Sequence, residues 1–176
     1  MASDPYKLIV YDDELLSQYS FGNEHPFGPR RYFSFHKEYL KQGLEKLSAH
    51  GASKLATKEQ ITLFHTEEYL QHVINHSESG EGYLDYGDTP AFKGIFEAAS
   101  RIVGTTLNAI DTIMKQEHRR AFIPIAGLHH ARRDKAAGFC ALNDCGVAIE
   151  YLRKEYNIKR VAYIDIDAHQ IGRAHV

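Results

Sequence analysis

The chain is expected to fold as an α/β domain, a parallel sheet flanked by helices on both faces. Two observations predict it. Short apolar runs of strand length alternate with segments of helical period, the pattern of strands joined by crossover helices. The residues best suited to chemistry lie just after the predicted strands, where open parallel sheets place their sites.

The elements follow in order. Lys7-Leu8-Ile9-Val10-Tyr11, stopped by Asp12-Asp13, reads as a buried opening strand. Residues 20–34 are rich in Gly, Pro and aromatics and predict a loop around His25-Pro26-Phe27-Gly28-Pro29. Over residues 36–47, Tyr39, Leu40, Leu44 and Leu47 recur at helical spacing, with Gly51 as the expected C-cap. Thr57-Lys58-Glu59-Gln60 fits a capping box, and Thr66 fits an N-cap for a helix through about Ile74. Thr89-Pro90 predicts an N-cap with proline at the first helical position. The long helix that follows is carried by Phe92, Ile95, Phe96, Ala99, Ile102, Val103, Leu107, Ile110 and Ile113. Residues 121–126 read as a strand, edge or irregular because Pro124 cannot donate to a ladder. Asn143 or Asp144 is expected to cap a helix to about Tyr156, and residues 160–166 form a near-continuous apolar strand. No internal repeat, low-complexity tract or dividing linker interrupts the series.

Composition narrows the function classes. At 176 residues and 43% hydrophobic the chain falls in the soluble globular class. A net charge of −2 makes no electrostatic case for direct nucleic-acid or anionic-membrane binding, and the Arg30-Arg31, Arg119-Arg120 and Arg132-Arg133 pairs read as solvated surface. No run approaches the roughly 20 apolar residues of a membrane span. Met1-Ala2-Ser3-Asp4-Pro5 lacks the regions of a signal peptide. Cys140 and Cys145 make neither a disulfide framework nor a C-x-x-C pair, so a reducing cytoplasm fits. Oligomeric state is not legible.

Chemistry concentrates in residues 127–169. Gly127-Leu128-His129-His130-Ala131 puts two adjacent imidazoles, able to transfer protons, in a glycine-bounded loop. Gly138-Phe139-Cys140 and Asn143-Asp144 follow. Asp165-Ile166-Asp167-Ala168-His169 sets three potential metal-site side chains on one side of an extended segment, because i, i+2 and i+4 share a face. Together these look like half of a metal-assisted hydrolase site. Bland readings compete: a lone His pair is usually loop polarity, Asp165 and Asp167 could simply end a strand, Phe139 could be plain core, and Asp88 could be only a turn residue. His25, His36, His65, His72, His76 and His118 read as surface, helix or packing residues, and the cysteines as small apolar groups.

The last residues are anomalous. Gln170-Ile171-Gly172-Arg173-Ala174-His175-Val176 shows no periodicity, cap or turn, and it matches the in-frame translation of a C base followed by a widely used short-read sequencing adapter. Residues 170–176 are therefore expected to be a non-native tail.

Four segments in order resemble the zinc-dependent histone deacetylase family of the arginase/deacetylase superfamily, with acetoin-utilization-type bacterial members most similar. They are His25-Pro26-Phe27-Gly28-Pro29-Arg30-Arg31, Phe64-His65-Thr66-Glu67-Glu68-Tyr69-Leu70, Gly87-Asp88-Thr89-Pro90, and residues 127–169. The resemblance implies an arginase/deacetylase-like fold, incomplete because residues 1–169 would be the N-terminal part of a single deacetylase domain. It implies that Asp167 and His169 are ligands of Zn2+, or of Fe2+ in vivo, and that His129 and His130 are the catalytic tandem histidines acting on zinc-activated water. Asp165 would orient His129 and contribute to a structural K+ site. Asp88, Gly138 and Phe139 would bind substrate, and Arg31 would line an acetate channel. The partner would be an acetylated lysine peptide or protein, or an acetylated small amine. Ala126 and Glu24 stand where relatives commonly carry glycine, and the family's third ligand and catalytic tyrosine would lie downstream, so this chain by itself is expected to lack activity. Alternatives are a binuclear manganese ureohydrolase, since Asp-Ala-His occurs there too, and a non-catalytic fragment or binding pseudo-enzyme.

Overall fold

A computed structural model describes residues 8–170; the expected non-native tail from Ile171 onward, and the Lys7 start of the first apolar run, lie outside the described residues. Three short strands form one parallel sheet with β1 (Leu8–Val10) between β2 (Ala49–His50) and β3 (Arg120–Phe122). Ile9 stands opposite Ala49 and Ala121, while Val10 stands opposite His50 and Phe122. In-register partners share a face, so the Ile9 row and the Val10 row point to opposite sides.

Helices cover both sides. The Ile9 row packs on Ala109 of α4 (Ile95–Met114), and Tyr11 extends that contact through a hydroxyl hydrogen bond to Thr112 at 3.3 Å. On the other side, Phe35 of α1 (Arg30–Lys41) meets the Phe122 ring at 5.4 Å. The remaining helices are α2 (Lys58–Ile61), α3 (Glu67–Ser79) and α5 (Asp144–Tyr156). They close a main core around Ile61, Leu70, Val73, Ile102, Val103, Leu128, Leu142 and Val147. Among the described residues no helix is long and apolar enough to cross a membrane.

The local signals hold at several termini. Thr57 and Gln60 make both halves of the capping box, Thr66 accepts from the Tyr69 N–H, and Asn143 accepts from the Gly146 N–H. α3 runs on past Ile74 to Gly80, whose left-handed backbone ends it.

Four expectations are corrected. The first helix spans Arg30–Lys41, not residues 36–47, because Pro29 pre-sets the backbone at its start and Gly43, at φ 67°, turns the chain out; Gly51 instead lies against the Tyr11 ring. Thr89-Pro90 does not start α4: the Thr89 hydroxyl donates to Asp85 at 2.7 Å, and the helix opens at Ile95 after Gly94. The strand expected over residues 121–126 pairs only to Phe122, ahead of Pro124. Residues 160–166 run without a ladder among the described residues, with Ile164 83% and Ile166 95% exposed. Strand propensity without a neighbouring edge to pair with leaves an unpaired segment.

Candidate active site

Residues 123–143 leave the β3 edge and return to the start of α5, and this loop carries both adjacent histidines. Two side chains at the helix start shape it. Asp144, 2% exposed, accepts the N–H groups of Gly127 at 3.1 Å and Leu128 at 2.6 Å, and the Thr106 hydroxyl at 3.1 Å. Burial pushes its carboxyl up, against the pull of those donors. Asn143 donates Nδ2 to the carbonyls of His129 at 3.1 Å and Ala131 at 2.7 Å. Its own N–H donates to His65 Nε2 at 2.9 Å, and His65 Nδ1 donates to the Arg133 carbonyl at 3.2 Å. That use of both ring nitrogens fixes a neutral tautomer, and burial pushes the His65 pKa down to about 4.

The two imidazoles so placed have centroids 4.1 Å apart. His129 Nδ1 hydrogen-bonds the Asp165 carboxylate, and its Nε2 faces Asp167 Oδ2 at 3.7 Å. Asp165 also accepts the Tyr163 hydroxyl at 2.8 Å and the Asp167 N–H at 2.9 Å. Burial would raise its carboxyl, but these donors and the His129 ring hold it down at about 2. Ligand atoms of His129, His130 and Asp167 all lie within 4.8 Å of one another. His169 stands outside that trio: its side chain is 83% exposed, and its Nδ1 and backbone N–H meet Asp167 Oδ1 at 2.8 and 2.6 Å. Asp165 and Asp167 thus both turn toward His129, while His169 sits in a short 3-10 turn, Ala168–Gln170, instead of continuing the extended face.

The opposite wall is a strained turn. Gly138 and Phe139 are both left-handed, at φ 54° and 64°, a conformation costly for phenylalanine. Neighbours over-determine it. Asp88 accepts the Gly138 N–H at 3.2 Å, and the Thr89 hydroxyl accepts the Phe139 N–H at 3.2 Å. The Tyr19 hydroxyl donates to the Phe139 carbonyl at 2.7 Å and accepts the Ala141 N–H at 2.8 Å. A Cβ on Gly138 would stand 2.8 Å from the His130 ring, so only glycine lets wall and histidine meet. His25 packs edge-on to Phe139 at 4.5 Å, and solvent-exposed Arg31 stacks over Phe27 at 3.8 Å.

Between these walls lies a cleft of about 880 Å³. Every candidate site residue lies on it except Asp165, which stands behind His129. Two imidazoles and a carboxylate suit a borderline divalent cation such as zinc, which takes nitrogen and oxygen donors. Of the two ligands that the resemblance implied, Asp167 lies in that trio and His169 does not. Sequence reasoning missed Asp144 as more than a cap, and it missed His65, Thr89 and Tyr19. The adjacent Asn143-Asp144 pair was a signal for the first; Tyr19 had none, since its partners lie 120 and 122 residues away.

Comparison with known proteins agrees with this architecture. Residues 25–172 match the histone deacetylase domain. The chain is 40% identical over 163 residues to the acetoin utilization protein AcuC of Bacillus subtilis (strain 168), covering 86% of this chain and 41% of that protein. It is 38% identical over 148 residues to histone deacetylase 8 of Xenopus tropicalis, covering 80% of this chain and 40% of the relative. The chain thus spans about two fifths of the length of these relatives. A crystal structure of the HDA15 HD domain superposes with a TM-score of 0.74 at 24% identity, over 82% of this chain and 42% of that one, a likeness of fold. The chain belongs to the histone deacetylase family.

Proposed function

We propose that the protein carrying these residues is a metal-dependent deacetylase that hydrolyses the acetamide of acetyl-lysine, or of a related acetylated amine, to acetate and free amine. One observation carries the reading: ligand atoms of His129, His130 and Asp167 gather within 4.8 Å on a cleft walled by Phe139. Asp167 and His169 would hold Zn2+, or Fe2+ in vivo, with K+ as a structural ion near Asp165. Once bound, such a metal polarises the amide carbonyl and acidifies water.

The chain's own groups do the rest. His130 takes a proton from the attacking water as general base. His129 is oriented by Asp165, which accepts from Nδ1 and leaves Nε2 facing the cleft, where a proton can be held and returned to the departing amine. The Phe139 ring gives the aliphatic lysine arm an apolar wall, and the Asp88 carboxylate at the rim can accept a substrate backbone N–H. A single three-donor cluster among the described residues favours this reading over a two-manganese ureohydrolase.

Because His169, one of the two expected ligands, lies outside the cluster, the 176-residue chain alone is proposed to turn over little. A cytoplasmic location is proposed on the sequence pattern alone, since Cys140 and Cys145 make no C-x-x-C pair. The test is acetate release from an acetyl-lysine peptide by a full-length family protein bearing these residues. Zinc-supported turnover should fall at least ~100-fold in His130→Asn, and the cleft itself should hold one transition-metal ion. Undiminished turnover in that variant, or two manganese ions per site, would overturn the reading.

A further inference from the structure

We propose that His72 and His76 on α3 form a second metal site, a two-histidine chelate for a divalent transition metal such as Zn2+. The pair lies apart from the cleft described above, since neither residue lines it, and the proposal does not depend on the deacetylase reading.

Residues four apart share one face of a helix. Here that puts the two ring centroids 4.2 Å apart. Zinc–nitrogen bonds of about 2.0–2.1 Å let one ion bridge ligand atoms as much as ~4 Å apart. The stronger indication is the way the His76 ring is held. Metal-ligating histidines almost always donate their other ring N–H to a carbonyl or carboxylate, which fixes the tautomer and raises the basicity of the ligand nitrogen. His76 Nδ1 donates to the His72 carbonyl at 2.9 Å, so the Nε2 lone pair is the one available to a metal. The His72 ring lies beside the Leu84 backbone, between Tyr69 and His76. His76 therefore carries the orienting bond of a ligand.

Space and charge agree. Gly82 packs beside the edge of the His76 ring that carries Nε2, where even an added Cβ would stand 3.8 Å away and not crowd the nitrogen. No lysine or arginine occurs between Lys58 and Lys93, whereas Glu59, Glu67, Glu68, Glu78, Glu81, Asp85 and Asp88 do. The segment attracts a cation and offers none of its own in competition. No third His, Cys, Asp or Glu joins the pair among the described residues, so water completes the coordination and the site is weaker than a structural zinc. Affinity should rank Cu2+ above Ni2+ and Zn2+.

Equilibrium dialysis of the full chain against Zn2+ at neutral pH tests this. His72→Gln and His76→Gln should each weaken one site by about tenfold or more, and the double variant should lose little beyond either single one. A variant carrying Asp167→Asn and His169→Gln should keep that site. In an arm that needs no substitution, Ni2+ added to the unaltered chain should broaden the ring resonances of His72, His76 and Tyr69. Zn2+ uptake unchanged in His76→Gln, or removed only by the Asp167/His169 variant, or Ni2+ broadening confined to His129 and His130, overturns the proposal.

Discussion

The two halves of the cleft are held by different means. Residues 127–143, with both catalytic candidates, are tied to α3, α5 and the Tyr19 region by buried and half-buried hydrogen bonds: Tyr69 to Ala141, Asp144 to Gly127 and Leu128, Asn143 to His129 and Ala131, Tyr19 and Thr89 to Phe139. Residues 158–169, with Asp165, Asp167 and His169, touch the domain mainly through one carboxylate–imidazole contact and leave Ile164 and Ile166 in solvent. The difference teaches that the side carrying the adjacent histidines is preorganised by contacts within this stretch of chain. The side carrying Asp167 and His169 is poised but not braced, and a bracing shell is what a precise site requires.

The largest effect should come from the braced half. Asp144→Ala strands the buried Leu128 N–H and removes the acceptor of the Gly127 N–H and the half-buried Thr106 hydroxyl; with about 1–3 kcal/mol for a buried group and less for the others, unfolding free energy should drop by roughly 3 kcal/mol. Asp165→Ala, on the unbraced half, should cost under about 1 kcal/mol. Urea denaturation followed by circular dichroism compares them; equal losses would erase the contrast.

Next comes pH. His65 is held neutral, with a pKa of about 4 against an ordinary value near 6.5. Because the folded state disfavours the proton, this contribution is complete above the unfolded pKa. It is lost as pH falls from about 6.5 toward 4, up to about 3 kcal/mol in all. His65→Gln should lower stability at pH 7 and flatten this acid slope. Parallel slopes for both chains would show that some other group governs the acid limb.

Gly138→Ala should cost about 2 kcal/mol and shift the His130 ring resonances, because the new methyl meets both a left-handed backbone and the imidazole. Gly127→Ala is the control: its φ of 81° is equally unfavourable, but nothing lies within 4 Å, so about 1 kcal/mol and no change at His130 are expected.

What the sequence revealed follows the same division. Capping at Thr57, Thr66 and Asn143 is local chemistry, and each is read from three or four adjacent residues. The long helix was legible because its apolar period persists for 20 residues. The gathering of His129, His130 and Asp167 was foreseeable because the motifs follow segments expected to be strands in a parallel sheet. Thr89 was misread because Asp85, four residues earlier, competes for its hydroxyl and turns a helix start into a loop. Residues 160–166 were misread for another reason. Propensity says that a segment fits a sheet, but pairing needs a neighbour. His65 and Tyr19 act on residues far along the chain, and no pattern in a single sequence marks such partners.

The smallest effect on stability should come from Ile164→Lys, and it tests the comparison from the unbraced side. Ile164 is 83% exposed and Ile166 95%, with Val161 39% and Tyr163 50%, all on backbone without a ladder. A side chain already in water contributes little to folding, so the unfolding free energy should change by less than about 0.5 kcal/mol. The same residues offer an apolar, unpaired edge to another chain, and a lysine there opposes edge-to-edge pairing. Light scattering over a concentration series should therefore show Ile164→Lys remaining dispersed where the unaltered chain associates. A loss of 2 kcal/mol or more with no change in association would mean that the segment is packed in solution, and the two halves of the cleft would then be equally braced.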